Sequence, residues 1–454
     1  MSKFVKLKKG FNINLAGVAK KRIVDSITPN VFALKPTDFN GIERPKLSVA
    51  EGDTVKAGSP LMFDKIRPEV KFTAPVSGEV VEIRRGDRRK LLEIKILPDQ
   101  RIEYENFHKY TISAISTLSR EDILKQLLPS GIWPRIIQRP YGVIANPADK
   151  PKAIFISTFD SHPLAPGFDF ILKGEEQHFQ TGLDILRRLT PGKVHLNIDS
   201  DAEVSPLFGS VTGVQVNKFS GPHPAGNVGV QIHHLDPINK GDIAWTISPY
   251  GVTQIGKLFL EGIYDASKIF ALAGPPVKEP QYYKTFDGAC IDQFINNGLS
   301  NDNVRIISGN ALTGERISAD GYLGYHDHLV TVLTEGNHSE FIGWILPTSK
   351  KLSFHRAFGL FSFMNRDERY DLDTNTYGEE RAFVQTGVFE RVTPMDILPT
   401  HLLKAIMAED YDDMEALGIY EVIEEDLALC EFVDVSKHPI QSIVRDGIDL
   451  MLEG

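Results

Sequence analysis

Between Ser119 and Leu260 the apolar positions alternate between two periods. Ile123, Leu124, Leu127 and Leu128 recur at helical spacing, with Ser119 placed as N-cap and Pro129-Ser130-Gly131 as the stop. Ala153-Ile154-Phe155-Ile156-Ser157 is an apolar run of strand length, which predicts a buried parallel strand. Glu175 to Leu189 then reads as a helix, Val194 to Ile198 as the next strand, Val211 to Val216 and Asp242 to Ile247 as further strands, and Val252 to Leu260 as a helix. Such alternation predicts a layered α/β domain over residues 100–265, with helices on both faces of a mostly parallel sheet.

The chain on either side is patterned differently. Up to about Pro98, Val and Ile alternate with Gly and Pro turns and helical periodicity is nearly absent, which predicts a compact β domain over 1–99. Inside it, E-G-D-T-V-K-A-G-S-P-L (Glu51 to Leu61) and F-T-A-P-V-S-G-E-V-V-E-I (Phe72 to Ile83) resemble a biotinyl/lipoyl carrier half-barrel. In that family a lysine seven residues before the alanine of Ala-Pro-x-x-Gly carries the prosthetic group. Here the position is Arg67, counted back from Ala74, and a guanidinium is protonated at any working pH and a very poor nucleophile. Lys65 and Lys71 stand nearby, and only a shifted register would make either one an acceptor.

Ile269 to Leu333 begins like a hairpin, has one short helix around Ile291 to Gly298 and returns through strands at Val304 to Ile307 and Leu329 to Leu333, which fits a β-grasp module over 266–340. A connecting segment covers 341–393. Residues 394–454 are helical by period. They carry no basic side chain between Lys404 and Lys437 and ten acids from Glu409 to Glu431, the pattern of an acidic cap or docking face.

Composition excludes several function classes. A net charge of -10 opposes nucleic-acid binding, which draws much of its affinity from Lys and Arg on phosphates. No apolar run approaches the ~18 residues of a membrane span, so a cytoplasmic location is expected, with any membrane association made through partners. The basic stretch of Lys3, Lys6, Lys8, Lys9, Lys20, Lys21 and Arg22 suits an acidic partner, or simply a solvated face. The two cysteines, Cys290 and Cys430, lack any C-x-x-C, which excludes a four-thiolate cluster and predicts buried free thiols.

The order of half-barrel, α/β domain, β-grasp module and helical tail resembles the A-type subunit of the Na⁺-translocating NADH:quinone reductases. Beyond the carrier-like segment, three stretches carry the resemblance: K-K-G-F-N-I-N-L-A-G (Lys8 to Gly17), G-P-H-P-A-G-N-V-G-V-Q-I-H-H-L-D-P (Gly221 to Pro237) and E-E-D-L-A-L-C-E-F-V (Glu424 to Val433). The resemblance implies a Rossmann-like α/β domain and a non-catalytic, peripheral subunit on the cytoplasmic face of the bacterial inner membrane. Its expected role is in assembly and in support of the quinone site. Its partners would be the other subunits, above all one in the membrane, in a translocase that couples electron transport from NADH to ubiquinone with sodium transport. Flavins and iron-sulfur centres are expected on other subunits. Related flavin-carrying subunits hold FMN with a Gly-rich loop, and the corresponding stretch Gln138 to Pro147 has one glycine and is stiffened by Pro134, Pro140 and Pro147, so no tightly bound cofactor is expected in this chain. The alternative is a soluble NADH-dehydrogenase-type flavoenzyme binding FMN in the α/β domain.

Individual side chains are then weighed as ligand contacts. Trp133 and Arg135 join a flat ring to a cation, suited to stacking on a quinone and donating to its carbonyl, and Val31 to Asp38, with Phe32 and Lys35, offers a second wall. His223, fixed between prolines and glycines, is a third candidate. Gly251 to Leu258 nearly matches a phosphate-binding loop, but Leu258 replaces the required hydroxyl, and a core-facing helix is the better reading. The pairs His326/His328 and His233/His234 lack a third metal ligand at a recognisable spacing, which predicts structural roles.

Overall fold

The computed structural model describes residues 2–296, 298–336, 351–355, 369–383 and 386–453; the connecting segment 341–393 lies in part outside these. Two small antiparallel sheets form the half-barrel. One runs β3 (Phe32–Leu34), β9 (Leu91–Pro98), β8 (Gly78–Arg85), β5 (Thr54–Val55), and the other β4 (Pro45–Leu47), β6 (Pro60–Asp64), β7 (Lys71–Thr73). Leu61, Met62, Val76, Val80, Ile94 and Ile96 are fully buried between them. Gly78 is obligatory here: at φ +153° its Cα faces the Leu97 carbonyl, where a Cβ would collide.

The β6–β7 turn carries Arg67, where a carrier domain has its lysine. Its guanidinium donates to the carbonyls of Ile144 (3.0 Å) and Gly41 (2.8 Å), so the turn is docked rather than presented to a modifying enzyme. Lys71 lies over the Phe63 ring at 4.3 Å, and Lys65 is exposed.

A seven-stranded sheet follows, ordered β1 (Phe4–Lys6), β14 (Gln215–Ser220), β13 (Lys193–Asp199), β12 (Ala153–Ser157), β15 (Ala244–Thr246), β10 (Ile137–Arg139), β11 (Val143–Ile144). From β1 to β15 neighbours are parallel, and β10 and β11 are antiparallel additions. The strand expected at 211–216 lies instead at Gln215–Ser220, because Gly213 at φ +77° turns the chain inside the apolar run.

Helix α2 (Arg120–Ser130) is capped as expected, Ser119 Oγ accepting from Asp122 N and Gly131 closing it in the left-handed region. Helices α4 (Glu176–Leu186) and α7 (Pro249–Glu261) pack closely, with Gly182 against the Val252 carbonyl and Gly256 against that of His178. The loop-like motif Gly251 to Leu258 is thus the interior of α7, and Lys257 pairs with Glu175 (2.8 Å) and Asp265 (3.1 Å). Helix α6 (Val228–Leu235) contacts β12, while α1 (Ile112–Ile115), α3 (Phe168–Ile171) and α5 (Pro206–Gly209) are single turns in connections.

The third sheet is ordered β19 (Glu315–Ile317), β18 (Val304–Ser308), β20 (Leu329–Thr334), β16 (Ser267–Ala273), β17 (Gln281–Phe286), β2 (Lys20–Val24), with α8 (Asp292–Ile295) beside it. Within segment 1–99, therefore, β1 serves the seven-stranded sheet and β2 this one, each paired in parallel with a strand more than two hundred residues away in sequence.

The C-terminal helices α9 (Pro399–Met407), α10 (Tyr411–Ala416), α11 (Glu424–Val433) and α12 (Ile440–Glu453) close over Leu402, Leu403, Leu427, Cys430, Val444 and Ile448. Many of the acids in this part face inward. Glu415 meets Lys240 (2.6 Å), Glu421 meets His233 (2.7 Å), and Glu425 and Asp426 meet Arg139 (each 2.7 Å), so the acidic face docks on the protein's own α/β layer. Both cysteines are buried and free, and burial pushes Cys430 up to about 12 and Cys290 to about 11. Among the described residues no helix is long and apolar enough to cross a membrane.

Candidate functional site

Among β12 to β15 the chain order across the sheet is 3-2-1-4, so the strand order reverses between β12 and β15. Open α/β sheets form a crevice at such a point, outside the carboxyl ends of the strands. A cavity of about 270 Å³ lies there. Its walls come from Ser157 to His162 after β12, Gly226 to Val228 at the start of α6, Thr246 to Pro249 at the start of α7, and Ile423 and Glu425 of the C-terminal part. Arg135, Ile137, Arg139, Phe168 and His326 complete it.

The polar groups are tightly arranged. His162 Nδ1 meets Asp160 Oδ1 at 2.6 Å; burial lowers the imidazole's proton affinity, but Asp160 outweighs it and the net shift is upward. Behind it, His223 Nδ1 meets Ser161 Oγ at 3.0 Å, and the two imidazoles lie 4.5 Å apart. Burial, then His162, pushes His223 down to about 3, so it is neutral. Asn227 gives its amide to the Glu425 carbonyl (2.9 Å). Three buried side-chain atoms here, His162 Nε2, His223 Nε2 and Asn227 Oδ1, have no partner.

Arg135 also reaches a second cluster, where the half-barrel, the α/β layer and the third sheet meet. Its guanidinium donates to Gln254, to the Tyr325 carbonyl (2.9 Å) and to Asp287, and stacks on Tyr325 at 3.9 Å. Lys268 meets the other Asp287 oxygen at 2.7 Å and is 1% exposed, so two cations share one buried carboxylate. Burial would raise Asp287, but Arg135 and Lys268 hold it below its usual value; Lys268 is itself lowered, by burial first. Lys35 bridges Asp38 (3.0 Å) and Glu315 (2.7 Å) at the edge of this cluster. Burial pushes Asp38 up to about 6 against the pull of Lys35.

The five side chains expected to contact a ligand are therefore dispersed. Trp133 is fully buried, its indole N–H on the Ala145 carbonyl (2.8 Å) and its ring edge-on to Trp245. Phe32 is 2% exposed and packs edge-on to Phe286. Lys35 borders a void of about 10 Å³, room for a single water. Arg135 alone of the five lines the crevice, and His223 stands behind it. Sequence reasoning missed His162, Asp160 and Asn227: the first two share the loop after β12 and the third follows β14, with no spacing to link the two loops.

The histidine pairs weighed as metal ligands have other work. His233 pairs with Glu421 and His234 Nε2 with the Pro394 carbonyl (2.8 Å), while His328 Nδ1 meets the Ile269 carbonyl (3.1 Å). No group of three or more metal-competent side chains occurs among the described residues.

Three family profiles match this architecture: the NqrA N-terminal barrel-sandwich hybrid domain over residues 5–99, the NqrA second alpha/beta domain over 118–264, and the NQRA C-terminal domain over 269–319. Together they cover more than half of the chain. The chain belongs to the NqrA family, the A-type subunits of the Na(+)-translocating NADH-quinone reductases. The NqrA relative from Yersinia pestis bv. Antiqua (strain Angola) is 39% identical over 445 residues, covering 97% of this chain and 98% of the relative. Those of Vibrio alginolyticus and Pasteurella multocida (strain Pm70) are 37% and 38% identical, each covering 98% of both chains. Among solved structures, chains of an NAD+-reducing [NiFe]-hydrogenase align at 12% identity and a TM-score of 0.33 in the H2-reduced state, over 52% of both chains, and at 11% and 0.38 in the air-oxidized state, over 78% of this chain and 67% of that one.

Proposed function

We propose that this chain is a peripheral subunit, on the cytoplasmic face of the bacterial inner membrane, of a Na⁺-translocating NADH–quinone reductase. It supports assembly and the quinone site and carries no redox centre of its own; flavins and iron-sulfur centres belong to other subunits. The observation that carries this reading is the extent of the similarity: 97–98% of this chain aligns with 98% of subunits bearing that name, the acidic helical part included. The Rossmann-like reading of the α/β layer is supported by the 3-2-1-4 parallel order of β12 to β15, and the β-grasp reading of the third sheet by the single short helix α8 beside it.

The flavoenzyme alternative is disfavoured by the stretch Gln138 to Pro147, where related subunits hold a flavin phosphate. Here it is a hairpin whose backbone N–H groups are spent internally: Gly142 on the Gln138 carbonyl (3.0 Å), Ala145 on that of Ile136 (2.9 Å), Ile144 on that of Asn40 (3.2 Å). Quinone support is assigned to the crevice, since about 270 Å³ is open beside Arg135 and only about 10 Å³ at Lys35.

The test is to tag the chain in its host, solubilise membranes in mild detergent and assay what co-purifies. Membrane partners with Na⁺-stimulated NADH–quinone reductase activity are expected. Recovery of the chain alone, yellow and oxidising NADH, would overturn the reading in favour of the flavoenzyme.

A further inference from the structure

Asn227 decides what the crevice accepts. The residue is 3% exposed and lines the cavity. A main-chain carbonyl only accepts, so the bond to Glu425 O fixes the amide nitrogen there and leaves Oδ1, an acceptor, without a partner. His162 lines the same cavity; its Nδ1 is held by Asp160 and its Nε2 is buried without a partner. That imidazole nitrogen accepts in the neutral ring and donates in the charged one, so it suits either kind of oxygen.

The two guanidiniums of the lining are committed elsewhere. Both terminal nitrogens of Arg139 are given to Asp426 and Glu425, and those of Arg135 to Asp287 and the Tyr325 carbonyl. Asp160 and Glu425 add carboxyl oxygens. Phe159, Phe168, Ile247 and Pro249 supply flat apolar walls that suit a ring.

We propose that the crevice prefers the hydroquinone form of a quinone headgroup, with Asn227 Oδ1 accepting a ring hydroxyl and His162 Nε2 meeting a second oxygen. This rests on the assignment of quinone support to the crevice. The oxidised ring offers only acceptors and leaves Asn227 Oδ1 buried and unsatisfied, whereas the reduced ring satisfies it. Asn227 is thus a specificity-determining residue for the oxidation state, and no electron or proton transfer is assigned to it.

The experiment measures binding of a short-chain ubiquinone and its quinol to the full chain by calorimetry without oxygen, then repeats the comparison on the assembled complex. The quinol is expected to bind about tenfold more tightly, and Asn227→Leu to remove about tenfold of that affinity while changing the quinone's by less than about twofold. Because Asn227→Leu also loses the bond to Glu425, Phe159→Trp serves as a second variant; by narrowing the cavity with both polar atoms retained, it is expected to weaken both forms. Equal affinity for the two forms, or a quinol preference that survives Asn227→Leu in a folded protein, overturns the proposal. Quinone binding lost on Lys35→Met but untouched by Phe159→Trp also overturns it, and moves the quinone site to the junction. If neither form binds the chain or the complex through it, the quinone assignment itself falls as well, and the assembly role stands apart.

Discussion

Arg139 of the α/β sheet and Asp426 of helix α11 meet at 2.7 Å with almost no exposure of either side chain, across 287 positions of sequence. The contact staples the C-terminal helices onto the crevice wall, and Glu425 adds a second oxygen to the same guanidinium. Removing one partner strands a buried charge, so Asp426→Asn or Arg139→Met is expected to cost about 3–5 kcal/mol in urea unfolding. The double variant Arg139→Met/Asp426→Asn should lose less than the sum of the singles. Additive losses would mean that the two groups are not coupled in solution.

Asp287 holds two buried cations where the half-barrel, the α/β layer and the third sheet meet. Asp287→Asn leaves Arg135 and Lys268 facing each other without an anion, and a loss of about 3–5 kcal/mol is expected. Adding Lys268→Met should recover a large part, because one of the unmatched charges goes with it. A double variant no more stable than Asp287→Asn alone would show that the junction depends on hydrogen-bond geometry rather than on charge balance.

The large elements were legible because their signals are local. Ala153–Ser157 is a strand buried on both faces and reads so from four consecutive apolar residues, and α2 declares itself through the Ser119 cap and Gly131. The destinations of β1 and β2 were not legible, since the partners of Phe4 and Lys20 are Lys218 and Gln281 and nothing in a short basic strand records which sheet it completes. The crevice follows the same logic. Arg135 was visible beside a tryptophan, whereas Asp160, His162 and Asn227 acquire a common purpose only when the ends of β12 and β14 come together.

Acid should destabilise the fold through its neutral buried histidines. Burial pushes His223 and His328 down to about 3 from 6.5, so below pH 6.5 the unfolded chain takes up protons that the native one refuses. Their contribution is complete above pH 6.5 and is lost as pH falls toward 3, at up to about 1.4 kcal/mol per pH unit for each. His162, shifted upward, works in the opposite sense: its contribution is full below 6.5 and lost as pH rises through its folded value. His328→Phe keeps the ring contacts with Tyr250 and Phe168 and should flatten the decline of the urea midpoint between pH 6.5 and 4. An unchanged slope would assign the acid sensitivity elsewhere.

Arg67→Lys restores the side chain that a carrier domain modifies, yet the product should remain unmodified. The turn is clamped to Ile144 and Gly41, and lysine has no fork with which to hold both carbonyls, so a loss of about 1–2 kcal/mol is expected instead. Intact mass after coexpression with a biotin or lipoyl ligase decides the matter. A mass increase by the prosthetic group would show that the turn undocks readily.

The lending of β1 and β2 to distant sheets has a consequence for how the protein is made. Phe4 pairs with Lys218 and Gln281 with Lys20, so a ribosome adding roughly 5–20 residues per second must run for roughly ten seconds or more before either early strand has a neighbour to join. Until then two basic segments trail from a half-barrel that is already synthesised in full. The seven- and six-stranded sheets receive their β1 and β2 edges only when the nascent chain has doubled back on its own beginning.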